Sequence, residues 1–175
     1  MTLPRPKTKY ILDANVFIQA KRQKYYGFDC CPGFWDFLSW SHGQNRIFSI
    51  DRVRQEIETG EDDLADWAVD TIPNTFFKST QEINVLAHYQ SIITWVQSHK
   101  TFQKSSKDEF ASNADGWLIA FAKATGYTLV TLEKHDYQEI KAKIPNVCKI
   151  FGVPHIDTFD MLRALNTNFI WQPPS

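Results

Sequence analysis

The first residues of this sequence that could do chemistry lie where a short apolar segment meets a carboxylate. Residues 9–18 read Lys-Tyr-Ile-Leu-Asp-Ala-Asn-Val-Phe-Ile, so a predicted strand ends at Asp13 and a helical pattern follows it. In an open α/β sheet the ligand crevice lies beyond the carboxyl ends of the strands, and an acid placed there faces a site. Asp13 is therefore a candidate site residue. The alternative is that Asp13 or Asn15 only caps the next helix.

Three further acids stand at comparable positions along the chain. Glu56 borders the apolar stripe of a predicted helix, Asp115 lies in the first turn of another, and Glu133 follows a strand that ends at Thr131. A carboxylate in the first turn of a helix is favoured by the helix dipole. Taken singly, each acid has an ordinary explanation as a solvated or capping residue. Taken together, they predict carboxylates that converge at one edge of the sheet.

Such a cluster of carboxylates requires a cation. Two unit charges about 4 Å apart repel by about 4 kcal/mol at an effective dielectric constant of 20. Ligands that are all oxygen atoms select hard ions, and a site with few carboxylates and open positions suits Mg²⁺ or Mn²⁺. The four acids therefore predict a site for one or two of these ions.

The elements that must position these acids alternate between strands and helices. Apolar stretches predict strands at residues 9–12, 46–50, 76–78, 127–131 and 147–150. Helical patterns cover residues 16–24, 34–40, 51–60, 61–71, the segment from 82 to about 98, 113–125 and 157–165, while 101–112 is predicted as a loop or frayed helix. This alternation predicts one three-layer α/β/α domain over residues 1–175, with a mostly parallel sheet. Its core is expected at about residues 9–166, between short polar or proline-containing tails.

Composition narrows the class of protein. A chain of 175 residues suits a single domain that needs no disulfides for its stability. Cys30 and Cys31 are adjacent and Cys148 stands alone, without zinc-ligand spacing, which predicts a reducing, cytoplasmic setting and no structural metal. The sequence has no apolar run of 18 residues and no signal-peptide pattern, so we expect no membrane association.

The formal net charge of −1 does not favour general binding to nucleic acid, since affinity for phosphates comes largely from clustered Lys and Arg. Any such binding must be local. Two short basic groups could provide it, although both could equally be solvated surface. Their members are Lys21, Arg22 and Lys24 in the first group and Lys100, Lys104 and Lys107 in the second.

Four segments together resemble a known family. They read Ile-Leu-Asp-Ala-Asn-Val-Phe-Ile, then Val-Arg-Gln-Glu-Ile, then Ala-Asp-Gly-Trp-Leu-Ile-Ala-Phe-Ala, then Leu-Val-Thr-Leu-Glu. Their order and spacing resemble the four-part signature of PIN-domain ribonucleases, most closely the VapC-like toxins, over residues from about 10 to 165. The segment Lys-Ile-Pro-Asn-Val-Cys-Lys-Ile-Phe-Gly-Val is similar to a PIN-like subfamily. The resemblance implies that Asp13, Glu56 and Asp115 form the acidic core.

The resemblance also implies polar supports and a fourth acid. Asn15 and Thr131 would stand near the metal, and the fourth acid would be Glu133 or, as the alternative, Asp136. Gly116 follows the third acid inside a helix, where glycine costs about 1 kcal/mol relative to alanine. Close packing at Gly116 or a close approach of substrate would account for it.

The resemblance implies a metal-dependent endoribonuclease that hydrolyses RNA and leaves 5′-phosphate and 3′-hydroxyl ends. It further implies the toxin of a toxin–antitoxin pair, with a cognate antitoxin protein as partner and a homodimer as a common assembly. The alternative is a non-catalytic PIN-like binding module. A haloacid-dehalogenase-like phosphatase is disfavoured, because that class needs a second Asp where this chain has Asn15.

Overall fold

A parallel β-sheet forms the centre of the molecule. The computed structural model describes residues 7–22 and 26–170. The strands are β1 (Tyr10–Leu12), β2 (Ile47–Ile50), β3 (Phe77–Lys78), β4 (Thr128–Val130) and β5 (His155–Ile156). They form one sheet in the order β3-β2-β1-β4-β5, and each neighbouring pair is parallel. All five strands of this described sheet therefore end at the same edge.

Helices flank this sheet and confirm the predicted three-layer α/β/α class. In the described part of the chain they are α1 (Ala14–Arg22), α2 (Pro32–Gly43), α3 (Asp51–Glu58), α4 (Asp63–Asp66), α5 (Ile83–Ser98), α6 (Lys104–Ser112), α7 (Asp115–Thr125), α8 (Ile144–Phe151) and α9 (Thr158–Ala164). A π-helical segment, Trp67–Thr71, extends α4, and a 3₁₀ turn, Asn74–Phe76, precedes β3.

The sequence forms these central strands because both faces of the sheet are covered. Every residue of β1 and β2 is buried, and all except Ser49 are apolar, as expected for parallel strands covered on both faces. On one side, aromatic rings fill the space under α1. The Phe17 ring lies 5.8 Å from Trp67 and 6.1 Å from Phe76, measured between ring centroids.

The prediction of a strand at residues 147–150 is wrong, because that segment lies within the helix α8. Pro145 stands in its first turn and Gly152, with φ of 64°, stands just beyond its end, which are the usual signals for a helix start and stop. Buried Ile144, Val147 and Cys148 recur on one helical face. The apolar, β-branched character of the segment outweighed these signals in the prediction. The fifth strand of the described sheet lies further on, at His155–Ile156.

Two other segments differ from the predictions. Residues 101–112, predicted as a loop or frayed helix, contain the ordered helix α6. The predicted helix over residues 61–71 begins at Asp63 and changes to π-helical geometry from Trp67 onwards. In the described residues, no helix is both long enough and apolar enough to cross a membrane.

Candidate functional site

A cavity of about 170 Å³ opens at the carboxyl ends of β1 and β4. It lies where the strand order changes direction, which is the usual place for a ligand in an open α/β sheet. We call it the acidic cavity. The polar side chains in its lining include Asp13, Asn15, Asn113, Asp115, Glu133 and Lys143.

Asp13 enters the acidic cavity directly after β1 and is only 4% exposed. The Thr131 hydroxyl, from the end of β4, donates to Asp13 Oδ2 at 2.8 Å. Asn15 Nδ2 donates to Thr131 Oγ1 at 3.0 Å, while Asn15 Oδ1 accepts from the Leu132 amide at 3.0 Å. The predicted polar supports thus join the loops after the two strands and fix the orientation of Asp13.

Asp115 enters the cavity from the start of α7. Asn113 holds it in both directions: Asn113 Nδ2 donates to Asp115 Oδ2 at 3.0 Å, and the Asp115 amide donates to Asn113 Oδ1 at 3.0 Å. Glu56 reaches the same helix from α3, and its Oε1 accepts from the Ala114 amide at 2.7 Å. Glu56 therefore braces the start of α7, but it is absent from the described lining of the acidic cavity.

Glu133 lines the cavity from the loop after β4, but its carboxylate already has partners. Lys143 Nζ lies 2.7 Å from Glu133 Oε1, and the Ile144 amide donates to Glu133 Oε2 at 2.8 Å. Neither Lys143 nor Asn113 was predicted from the sequence to belong to the site. A lysine or asparagine in a polar loop carries no distinctive signal, and proximity to an acid 10 residues away depends on the path of the loop.

Asp136, the alternative fourth acid, has a different role. Its carboxylate accepts from the backbone amides of Gln138, Ile140 and Lys141 at 3.1, 3.0 and 2.8 Å. It is absent from the described lining of the acidic cavity. The geometry therefore favours Glu133 over Asp136 as the fourth acid.

The cavity holds its carboxyl groups in an unfavourable environment for negative charge. Burial, reinforced by the charges of Glu133 and Glu56 and opposed by the Thr131 hydrogen bond, raises the pKa of Asp13 from its ordinary 3.8 to about 7. Burial and the charge of Asp13 hold the pKa of Asp115 well above its usual range. Burial likewise raises the pKa of Glu56, despite the Ala114 hydrogen bond.

Lys143 experiences the opposite balance. Burial lowers its pKa, but the hydrogen bond and attraction from Glu133, together with the charge of Asp115, outweigh burial and leave the pKa raised. Lys143 thus remains a cation beside the acids and offsets part of their charge.

The donor chemistry fits a hard divalent cation, although the ligands are not assembled around one point. Among residues 7–22 and 26–170, no three or more His, Cys, Asp or Glu side chains are arranged to hold a metal ion. Glu56 and Glu133 are engaged by backbone amides and by Lys143. Asp13 and Asp115 are the two acids with the most buried carboxyl groups, and a bound cation would offset the cost of burying their charges and the repulsion between them.

The basic residues predicted to bind RNA are not among the described residues that line the acidic cavity. Lys21 is paired at 2.6 Å with an aspartate of α4, and Lys107 Nζ donates to a backbone carbonyl of α5 at 2.9 Å. Lys104 is exposed, 3.9 Å from an acid on its own helix. The Arg22 side chain and Lys24 lie outside the described residues. The described contacts of Lys21, Lys104 and Lys107 are therefore with groups other than the acids of the cavity.

Sequence comparison shows the family of the chain. It belongs to a family described as a domain of unknown function (DUF4411), whose model matches residues 10–169. That span contains every residue of the acidic cavity named above. No curated protein and no solved structure matches the sequence.

Proposed function

We propose that this protein is a metal-dependent endoribonuclease that hydrolyses RNA phosphodiester bonds. The observation that carries the proposal is the burial of Asp13 and Asp115 in one cavity at the switch point of the sheet, where their carboxyl pKa values are raised. Perturbed carboxyl groups in a cleft are typical of catalytic and metal sites. The resemblance of the four acidic segments to PIN-domain ribonucleases supplies the reaction class.

The residues of the acidic cavity would have two roles, to bind the metal ion and to orient the residues that bind it. Asp13 and Asp115 would hold Mg²⁺ or Mn²⁺, while Thr131 orients Asp13 and Asn113 orients Asp115. When bound, the ion supplies an activated water and neutralises charge on the phosphate. Glu56 keeps the start of α7 in place.

Glu133 and Lys143 would serve at the rim of the acidic cavity. Their 2.7 Å ion pair places a lysine ammonium group beside the acids, where it can attract a phosphate oxygen. Both Glu133 oxygens already accept a hydrogen bond, one from Lys143 and one from the Ile144 amide, so we assign Glu133 a supporting role behind Asp13 and Asp115.

The same resemblance leads us to propose a toxin role. A cognate antitoxin protein would cover the acidic cavity and block cleavage, and a homodimer would be the assembly. Size-exclusion chromatography with light scattering tests the dimer, and a strict monomer at high concentration would refute it.

A second candidate function, a non-catalytic PIN-like binding module, is favoured by one observation. Glu133 is already neutralised by Lys143, which is the arrangement expected of a site that no longer needs a cation. Metal binding separates the two candidates. Calorimetric titration should detect Mn²⁺ binding to the wild type and its loss in Asp115→Asn if the site is catalytic.

The decisive experiment is cleavage of structured and single-stranded RNAs by the purified protein with Mg²⁺, Mn²⁺ or EDTA. We expect metal-dependent cleavage that Asp115→Asn abolishes. Asp108→Asn is the matched control, since Asp108 lies on the exposed face of α6 and is absent from the described cavity lining. Activity retained in Asp115→Asn, or activity in EDTA, would refute the proposal. No cleavage together with no Mn²⁺ binding would favour the binding module.

A further inference from the structure

A second cavity, of about 440 Å³, lies on the other side of the α7 N-terminus. We call it the Arg52 cavity. Its lining includes Arg52, Gln55, Glu56, Tyr89, Asn113 and Trp117. Asn113 lines both cavities and holds Asp115, so the two cavities are neighbours around one residue.

The Arg52 side chain lies between an aromatic ring and a hydroxyl group. Its guanidinium carbon lies 4.7 Å from the centroid of the Trp117 ring. Trp117 in turn stacks on Tyr89, with 3.5 Å between ring centroids and 9° between ring planes. Arg52 Nε points to the Thr80 hydroxyl at 3.5 Å, and that hydroxyl is anchored by Asp51 at 2.8 Å. Little side-chain freedom remains for Arg52 to lose on binding a ligand.

Arg52 is also the only cationic side chain among the described residues that line this cavity. A guanidinium group presents a planar fork of N–H donors that matches two oxygens of a phosphate, and stacking on an aromatic ring leaves the edge of that fork available. The Arg52 side of the cavity therefore suits a phosphodiester, while the Glu56 carboxylate in the same lining is held by the Ala114 amide at 2.7 Å.

We propose that the Arg52 cavity binds a phosphate of the RNA strand beside the bond that is cleaved in the acidic cavity. The proposal rests on the nuclease function proposed above. It gives a chain with a formal net charge of −1 a local contact through which it can hold RNA. Arg52, rather than the lysines of α1 and α6, would then bind the RNA strand outside the acidic cavity.

Binding of a labelled single-stranded ribo-oligonucleotide, measured by fluorescence anisotropy in EDTA over a range of NaCl concentrations, tests this subsite. We expect Arg52→Gln to weaken binding at least about tenfold and to reduce the slope of log K against log salt by about 0.7, the value for one phosphate contact on a single strand. A purely structural role for Arg52 would leave the slope unchanged. An unchanged slope in a folded Arg52→Gln variant overturns the proposal.

Arg54→Gln is the matched control, since it removes an equal charge from the same helix. Arg54 pairs with Glu58 at 2.7 Å and is absent from the described lining of the Arg52 cavity, so its loss should leave the slope unaltered. Equal slope changes in the two variants would show that the effect comes only from net charge, and would overturn the subsite.

Arg52→Lys covers the case in which Arg52→Gln does not fold. The lysine keeps the charge but loses the fork, so we expect the slope to persist and affinity to fall several-fold, and wild-type affinity would refute the proposal.

The metal-free assay separates this proposal from the nuclease function. Arg52-dependent binding without cleavage under any metal condition supports the subsite and refutes the nuclease. If the protein cleaves RNA but Arg52→Gln changes neither the affinity nor the salt slope, the nuclease function is supported and the subsite is refuted. Failure of the wild type to bind the oligonucleotide overturns the subsite directly.

Discussion

The carboxylates near the end of β4 fall into two regions with opposite surroundings. In the turn of residues 136–141, Asp136 accepts hydrogen bonds from backbone amides, that of Lys141 foremost, and its pKa is lowered. In the acidic cavity, Asp13 and Asp115 are buried near other acids, and their pKa values are raised. The supply of hydrogen-bond donors, more than position in the sequence, distinguishes an acid that organises a loop from one that is available to a ligand.

Cleavage should show the largest difference between the two regions. Asp13→Asn or Asp115→Asn should lower the initial rate of RNA cleavage in Mn²⁺ by more than about 100-fold, because loss even of residues that orient metal ligands costs 10–100-fold. Asp136→Asn should leave the rate within a few-fold of wild type. A large loss in Asp136→Asn with its fold intact would reverse our choice of Glu133 as the fourth acid.

The substitution Asp13→Asn, which should lower cleavage, should raise the stability of the metal-free protein. A carboxyl whose pKa rises on folding stabilises the protein fully below its unfolded pKa, and that contribution is lost as pH rises through the folded value. For Asp13 this window runs from about 4 to about 7. Asp13→Asn should therefore be more stable than the wild type at neutral pH in EDTA, by at most about 4 kcal/mol on 1.36 kcal/mol per pKa unit. Urea unfolding at pH 4 and pH 8 measures it, and an equal difference at both values would contradict the assignment.

Asp136 should show the reverse dependence on pH. Its pKa is lowered on folding, so its contribution to stability is present above the unfolded value and is lost as pH falls through the folded value. Asp136→Asn should lower the midpoint of thermal unfolding at neutral pH and converge with the wild type in acid. A melting temperature at or above that of the wild type at pH 7 would show that the turn does not depend on this carboxylate.

The smallest effect is expected beside the cavity, at Gly116. A Cβ atom there would meet Tyr89, Ile93 and Phe110 at 3.1–3.3 Å, which identifies close packing of α7 as the reason for the glycine. Overpacking costs about 1–3 kcal/mol, while alanine recovers about 1 kcal/mol of helix propensity. Gly116→Ala should therefore destabilise by up to about 2 kcal/mol in urea, with cleavage reduced only if Asp115 shifts. A stabilised variant would show that the neighbouring side chains move aside at no cost to accommodate the added Cβ atom.

Much of this architecture could be predicted because it rests on local patterns. The buried strands near Ile11 and Leu129 and the amphipathic run of α7 carry strong apolar signals, and Gly126, with φ of 74°, marks the end of α7 as expected. The segment 147–150 failed because a short apolar, β-branched run suits either a strand or a helix, and the flanking Pro145 and Gly152 were given too little weight.

The site was only partly predictable for a different reason. Three of the four acids lie at element ends, which the pattern of strands and helices locates, and the bond from Thr131 to Asp13 follows from the pairing of β1 with β4. The choice between Glu133 and Asp136, and the presence of Lys143, depend on how an irregular loop folds back over the sheet. No periodicity describes such a loop, so these contacts appear only in three dimensions.

The central position of β1 has a consequence for when the site can fold during synthesis of the chain. Tyr10–Leu12 pairs with Thr128–Val130, and Asp13 receives its hydrogen bond from a residue 118 positions later. Long-range pairings of this kind close late and slowly. During translation, Asp13 therefore leaves the ribosome well before Thr131 is made, so a nascent chain that ends before β4 lacks the hydrogen bond that orients this carboxylate.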